Sequence, residues 1–164
     1  MFFMKKAPYA KRWNKNLVVN GMALSTHELI RNDCIELSIE KAFEKIASLA
    51  FCNREGVEGF FPLIKINELK QICKFLYYAD QKGWIVSSCY SISLTLFYFG
   101  TVFGHKMEII MGVRKIDERL VGHAWVKCDN EKILNPGNFD IDSLSIIKTL
   151  SLKDGLESWL QKCA

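Results

Sequence analysis

The sequence predicts a single α+β domain, in which helices come first and an antiparallel sheet follows. Two observations lead to this fold class. Apolar residues recur at helical spacing through the first half of the chain, whereas the part after Gly104 alternates short apolar runs with turn signals. Helices followed by strands in this way are typical of α+β proteins. The 164 residues fit one domain, 1–164, whose residues 1–80 are helical and whose residues 84–150 form the rest of the fold.

Three helices are predicted before residue 80. Ser25 and Glu28 form a capping-box pattern at the start of a short helical segment that ends at Arg31. Ser38 is the expected N-cap of a second helix, and Asn67 is the expected N-cap of a third. The apolar stripes that should pack in the core are Ile39, Ala42, Phe43, Ile46 and Leu49 in the second helix and Leu69, Ile72, Cys73 and Leu76 in the third.

Residues 83–104 contain no charged side chain, a length sufficient to cross a bilayer as one helix. The serines and threonines within this stretch, and Gly100 near its end, favour a shorter buried helix instead. We expect this helix to be capped by Ser87 or Ser88 and to run over residues 89–99. It would be about 16 Å long, which is about half the hydrocarbon thickness, so no membrane association is expected.

Three strands and a final helix are predicted after Gly104. The strands cover residues 107–113, 123–128 and 132–135, with a charged turn at 115–119, a second turn at Asp129 and Asn130, and Pro136 ending the third strand. The final helix is indicated by Leu156, Trp159, Leu160 and Cys163 at helical spacing.

Composition excludes several classes of function. A net charge of +4, from 22 basic and 18 acidic residues, is too small to indicate a nucleic-acid partner. The six cysteines form no C-x-x-C pair, so the spacing of a metal site is absent. No secretory signal is recognisable at the start of the sequence. We therefore expect a cytoplasmic protein with free thiols.

Cys89 and His123 are the residues at which the sequence indicates chemistry. A helix N-terminus lowers the pKa of a thiol, because its free N–H groups favour the reactive thiolate, and those groups can also bind an oxyanion. Cys89 lies at the start of the serine-capped helix, and His123 begins a strand that would hold a general base rigidly. Trp125, on the same face of that strand, would exclude water. We expect His27 and His105 to be solvated or capping residues.

Four segments carry a resemblance to a known family: Ser-Ser-Cys-Tyr at 87–90, Ile-Met-Gly-Val-Arg at 110–114, Gly-His-Ala-Trp-Val at 122–126 and Lys-Ile-Leu-Asn at 132–135. In this order and spacing they resemble the leader peptidases of lasso-peptide biosynthesis, which are transglutaminase-like cysteine proteases. The resemblance spans about residues 84–135 and continues faintly through 142–147. It implies a transglutaminase-like (papain-like) fold with its catalytic core at 84–150, Cys89 as nucleophile on the central helix and His123 as base on the sheet.

The resemblance also implies an orienting residue, but relatives have an aspartate where this sequence has Asn135. An amide oxygen can accept a hydrogen bond from Nδ1–H of the imidazole, so we expect Asn135 to orient His123, with Asp129 as the alternative. A two-residue hairpin loop would turn Asn135 away from His123, whereas a three-residue loop, 129–131, would pair Cys128 with Lys132 and place Asn135 on the His123 face. An odd-length loop or a bulge is therefore expected.

The function that the resemblance implies is a cytoplasmic cysteine peptidase that removes the leader from a ribosomally synthesised lasso-peptide precursor. An asparagine-synthetase-like cyclase would then close the macrolactam. Acyl transfer to a cysteine needs no metal or organic cofactor, and none is expected. An acyltransferase of the same fold, and a non-catalytic scaffold that binds the precursor or the cyclase, are the alternatives. The 88 residues before Cys89 are predicted to be helical, so a separate leader-recognition protein is expected. Arg114 is expected to pair with Asp117 or Glu118 rather than to contact substrate.

Overall fold

The computed structural model describes residues 15–57, 64–130, 132–137 and 139–163. Within this part of the chain, helices precede an antiparallel sheet of four strands, which confirms the predicted α+β class. The elements in chain order are α1 (Lys15–Glu36), α2 (Ile39–Val57), α3 (Ile66–Gln81), α4 (Cys89–Val102), β1 (Met107–Ile116), β2 (Arg119–Cys128), β3 (Lys132–Leu134), β4 (Ser145–Ser151) and α5 (Leu152–Cys163).

Helix α4 is the centre of the fold. It packs against α1, α2 and α3 and also against strands β1 and β2. Nearly all of its residues are buried, as expected for a helix that is apolar on every side. The predicted end near Gly100 is wrong, and α4 continues to Val102. Gly100 allows α4 and the start of β1 to approach closely, because a Cβ there would overlap with the side chain of Met107. No described helix is both long and apolar enough to cross a membrane.

The three N-terminal helices differ in part from the predictions. Helix α1 is continuous, and Ser25 lies inside it with its hydroxyl donating to the carbonyl of Gly21, so the capping box at Ser25 is wrong. Ser38 caps α2 as predicted, because its Oγ accepts from the backbone N–H of Lys41. Lys65, one residue before the start of α3, occupies the N-cap that was predicted for Asn67.

The predicted apolar faces are largely buried. All four residues of the α3 stripe lie in the core, as do Ala42, Phe43 and Ile46 of α2. Ile39 and Leu49, by contrast, are almost half exposed, because the buried face of α2 continues through alanines 47 and 50 instead. The predicted last helix is present as α5, although the side chains of Trp159 and Cys163 lie outside the described residues.

The sheet has the strand order β3-β2-β1-β4, and each neighbouring pair is antiparallel. Strands β1 and β2 are longer than predicted, because a two-residue turn at Asp117 and Glu118, both with positive φ, extends their pairing to Ile116 and Arg119. The edge strand β4 was not predicted. Among its apolar residues, Ile146 and Ile147 are adjacent in sequence and both exposed, so no alternating pattern marked it as a strand.

The β2–β3 hairpin has the three-residue loop that the sequence analysis required. Cys128 pairs with Lys132 and Val126 pairs with Leu134, so three residues separate the paired ends of the two strands. Strand β3 ends at Leu134, one residue earlier than predicted. This register determines which face of the sheet Asn135 meets, since side chains alternate along a strand.

Candidate active site

Cys89 is the first residue of α4, and a reciprocal cap holds the chain immediately before it. Oγ of Ser88, the N-cap, accepts from Ser91 N–H at 3.0 Å, and Oγ of Ser91 accepts from Ser88 N–H at 2.9 Å. This is a capping box in which serine stands at the position usually occupied by glutamate or glutamine. The predicted cap at Ser88 is confirmed, and it places the half-buried thiol of Cys89 at the positive end of the helix.

Two backbone N–H groups at this helix terminus remain free to bind a ligand. Ser87 N–H donates to Oδ1 of Asp80 at 2.8 Å, and the N–H groups of Ser88 and Ser91 are used in the cap. Within the described part of the chain, the N–H groups of Cys89 and Tyr90 meet no acceptor. They therefore form a small anion-binding terminus beside the thiol.

His123 lies on β2, and its ring makes stacked contacts with two aromatic side chains. Phe139 stacks on it with a centroid distance of 4.6 Å, and Trp125 lies 6.2 Å away in a nearly parallel plane. Gly112, the partner of His123 on β1, leaves room for this arrangement, because a Cβ there would come within about 3.0 Å of the Trp125 ring. The shared face expected for His123 and Trp125 is thus confirmed.

Asn135 is bonded to His123, as the loop register predicted. The amide of Asn135 donates through Nδ2 to the carbonyl of Phe139 at 2.8 Å, which leaves Oδ1 as the atom that faces the imidazole. His123 Nε2–H donates to that oxygen at 2.6 Å. The expectation that Nδ1 would make this hydrogen bond is wrong, because Nε2 is the ring nitrogen that faces the amide of Asn135. Nδ1 is therefore the basic nitrogen of neutral His123.

Asp129 lies elsewhere and does not orient His123. Its carboxylate accepts from His105 Nδ1–H at 2.8 Å and from the N–H of Lys106 at 2.9 Å, while His105 Nε2–H donates to the carbonyl of Ile64. Burial lowers the pKa of His105. Its hydrogen bonds to the Ile64 carbonyl and to Asp129, together with the negative charge of Asp129, outweigh burial and raise the pKa overall. His105 is thus a cationic link between the segment before α3 and the β2–β3 loop, and the prediction that it is a solvated or capping residue is wrong.

One group of potential metal ligands occurs in the described residues, where atoms of His105, Cys128 and Asp129 lie within 4.8 Å of one another. Both nitrogens of His105 already donate hydrogen bonds. Burial and the neighbouring Asp129 raise the pKa of Cys128 to about 12, so its sulfur stays protonated and donates weakly to that carboxylate. The side chains of His105, Cys128 and Asp129 therefore all have hydrogen-bond partners.

Two further residues depart from their predicted surroundings. His27, expected to be solvated or capping, is fully buried, with Nε2 at 3.1 Å from Ser91 Oγ. Arg114 pairs with no carboxylate among the described residues, so its predicted pairing is wrong. It donates to Ser143 Oγ, and its guanidinium carbon lies 4.9 Å from the ring centroid of Phe139. Both contacts depend on tertiary structure and leave no local sequence signal.

A cavity of about 400 Å³ opens between α3, the start of α4 and the loop after β3. Cys89 and His123 both line it, and Asp80 contributes the one carboxylate among its lining residues. The other lining residues are Tyr77, Ser87, Ser88, Ile92, Pro136, Gly137 and Phe139. A thiol, an imidazole backed by an amide, and free N–H groups at one cavity are the parts that acyl transfer to cysteine requires.

Comparison with known families identifies the superfamily of the chain. The model of the transglutaminase-like superfamily matches residues 42–144, which is more than half of the chain and includes the central helix and most of the sheet. Proteins of this superfamily are typically cysteine proteases or acyltransferases. No curated protein and no solved structure matches the chain significantly. The α+β fold is consistent with this match, and the chain belongs to the transglutaminase-like superfamily.

Proposed function

We propose that this protein is a cysteine peptidase in which Cys89 is the nucleophile, His123 the general base and Asn135 the orienting residue. The observation that carries the proposal is that Cys89 and His123 line one cavity, while Oδ1 of Asn135 accepts a hydrogen bond from Nε2 of His123. Asn135 fixes the tautomer, so Nδ1 is available to take the thiol proton.

The reaction follows from these positions. The thiolate of Cys89 attacks the carbonyl carbon of the scissile amide, and the resulting oxyanion binds the N–H groups of Cys89 and Tyr90. The imidazolium of His123 then gives its proton to the leaving amine, and a thioester forms on Cys89. Water, deprotonated by His123, hydrolyses the thioester and restores the enzyme.

The substrate that we propose is the precursor of a lasso peptide, from which the cytoplasmic enzyme removes the leader before a cyclase closes the macrolactam. The four sequence segments that resemble lasso-peptide leader peptidases support this choice, because two of them hold Cys89 and His123. A separate leader-recognition protein is part of the proposal. In support, residues 15–57 and 64–88 form three helices and contain no strand to which a leader could add.

Cleavage of a precursor peptide by the purified protein, followed by mass spectrometry, tests the proposal. The rate of cleavage should fall by several orders of magnitude in both Cys89→Ala and His123→Ala, while each variant remains folded. Cys52→Ala, which removes an exposed free thiol in α2, is the matched control and should cleave normally. Comparable cleavage by the Cys89→Ala protein would exclude the mechanism.

The same experiment separates the alternatives. Release of a free acid indicates a peptidase, whereas an amide product formed with an added amine indicates an acyltransferase. Binding of the precursor with no thioester and no product would indicate a scaffold. Efficient cleavage at micromolar precursor, unaltered by adding a leader-recognition protein, would remove that partner from the proposal.

A further inference from the structure

His27 is buried in the middle of α1 and meets the first turn of α4, 64 residues further along the chain. Its Nε2 lies 3.1 Å from Oγ of Ser91, while its Nδ1 is buried with no hydrogen-bond partner among the described residues. Burial lowers the pKa of His27, so the ring is neutral at neutral pH. An apolar side chain could fill this space without leaving a buried nitrogen unpaired.

The hydrogen bonds of Ser91 determine the tautomer of His27. A hydroxyl oxygen accepts two hydrogen bonds and donates one. Ser91 Oγ accepts from the N–H of Ser88 at 2.9 Å and donates to the carbonyl of Ser88 at 3.1 Å. One lone pair remains, and it faces His27 Nε2. Nε2 therefore carries the proton and donates, which leaves Nδ1 as the unpaired lone pair.

This donation fixes the direction of the Ser91 hydroxyl, since all of its hydrogen-bonding positions are then occupied. Ser91 in turn binds both backbone groups of Ser88, the residue immediately before Cys89. The backbone at Ser88 is thus held on one side by a side chain that α1 keeps in place. The N–H groups of Cys89 and Tyr90, which follow Ser88 in the first turn, meet no acceptor among the described residues.

We infer that His27 is a positioning residue, which acts through Ser91 and Ser88 to hold the thiol of Cys89 at the helix terminus in its reactive geometry. The inference rests on the proposed role of Cys89 as the nucleophile. It assigns to α1, which does not line the cavity, the task of keeping the start of α4 ordered. A buried polar group with an unpaired atom is tolerated at such a position because function depends on its other atom.

The pH profile of Cys89 alkylation tests this inference without any peptide substrate. The intact protein is treated with iodoacetamide from about pH 5 to about pH 9, and the peptide that contains Cys89 is quantified by mass spectrometry. His27→Gln and His27→Asn form a matched pair, because the amide nitrogen of glutamine can occupy the place of Nε2 whereas that of asparagine reaches only the place of Nδ1. Circular dichroism checks that each variant is folded.

We expect His27→Gln to keep the wild-type profile. His27→Asn should lower the alkylation rate at pH 7 about tenfold and displace the profile upward by about one pH unit, the effect of losing one buried hydrogen bond. Ser91→Ala should show the same displacement. Its matched control is Ser93→Ala, which removes a buried hydroxyl of α4 that has no hydrogen-bond partner in the described structure, and which should match wild type.

The outcomes are distinct. Identical profiles for His27→Gln and His27→Asn, or an undisplaced profile for Ser91→Ala, would overturn the inference. If His27→Asn does not fold, the Ser91→Ala and Ser93→Ala pair decides. Wild-type Cys89 that reacts no faster than the exposed Cys52 would count against the proposed function itself. A fast wild-type Cys89 that His27→Asn leaves unchanged would remove only the role of His27.

Discussion

Phe139 stacks on the imidazole of His123 with their planes 13° apart, and its backbone carbonyl accepts a hydrogen bond from the amide of Asn135. One residue therefore fixes the plane of the His123 ring and the orientation of the amide that bonds it. The guanidinium of Arg114 lies against the same phenyl ring. Phe139 belongs to the loop after β3, where no sequence motif marked it.

Replacing Phe139 by leucine should impair catalysis by removing the stacking. Such a ring contact contributes about 1 kcal/mol, so we expect kcat/KM to fall about five- to tenfold in Phe139→Leu. Phe139→Tyr keeps the ring and the backbone carbonyl and should lose less than about twofold. Steady-state cleavage kinetics on precursor peptide provide the measurement. Equal rates for the two variants would show that the stacking does not orient His123.

Replacing Asn135 tests the amide as the orienting group. Asn135→Ala removes the acceptor for His123 Nε2–H and should lower kcat/KM by at least about tenfold. Asn135→Asp keeps an acceptor oxygen in the same place and should be less impaired, although it gives up the donation to Phe139 O. Near-wild-type rates for both variants would remove Asn135 from the mechanism.

His105 should make the stability of the fold depend on pH in a defined direction. Its pKa is raised in the folded protein, so its contribution is fully present below the unfolded value of 6.5 and is lost as the pH rises through the folded value. The stability difference between wild type and His105→Asn, measured by urea unfolding, should therefore shrink from pH 6 toward alkaline pH.

The matched control for His105 is Asp129→Asn, which removes the carboxylate that favours the imidazolium. This variant should flatten the same pH dependence without removing the ring. A difference between wild type and His105→Asn that stays constant with pH would mean that His105 does not carry its charge in the fold.

Gly137 should tolerate alanine poorly for two separable reasons. Its φ is +79°, and an added Cβ would lie 2.9 Å from the ring of Tyr77 across the cavity. Gly83, with φ of +70° and nothing within 4 Å of an added Cβ, is the matched control. We expect the free energy of unfolding to fall by about 1 kcal/mol in Gly83→Ala, from backbone strain alone. In Gly137→Ala it should fall by about 1–3 kcal/mol more, because the added Cβ also meets Tyr77. Thermal melts of the two variants measure the difference, and equal losses would exclude the Tyr77 contact as a constraint.

The parts of the site that the sequence predicted correctly depend on short-range rules. Ser88 lies next to Cys89, and the side-chain alternation of strands connects the length of the β2–β3 loop to the position of Asn135. Ser25 shows the weakness of such rules, since a capping pattern also occurs inside a helix, where the hydroxyl bonds the preceding turn. His27 could not be placed, because its partner is distant in sequence and burial is decided by tertiary packing.

The register between β2 and β3 constrains how this protein can vary more than the length of the loop that joins them. A loop shortened or lengthened by one residue would keep Asn135 on the face of His123 as long as Cys128 still paired with Lys132, because paired residues share a face of the sheet. An insertion or deletion of one residue within β3 would instead turn Asn135 to the opposite face, away from His123. Functional descendants of this chain should therefore vary in the length of this loop while the number of residues from Lys132 to Asn135 stays fixed.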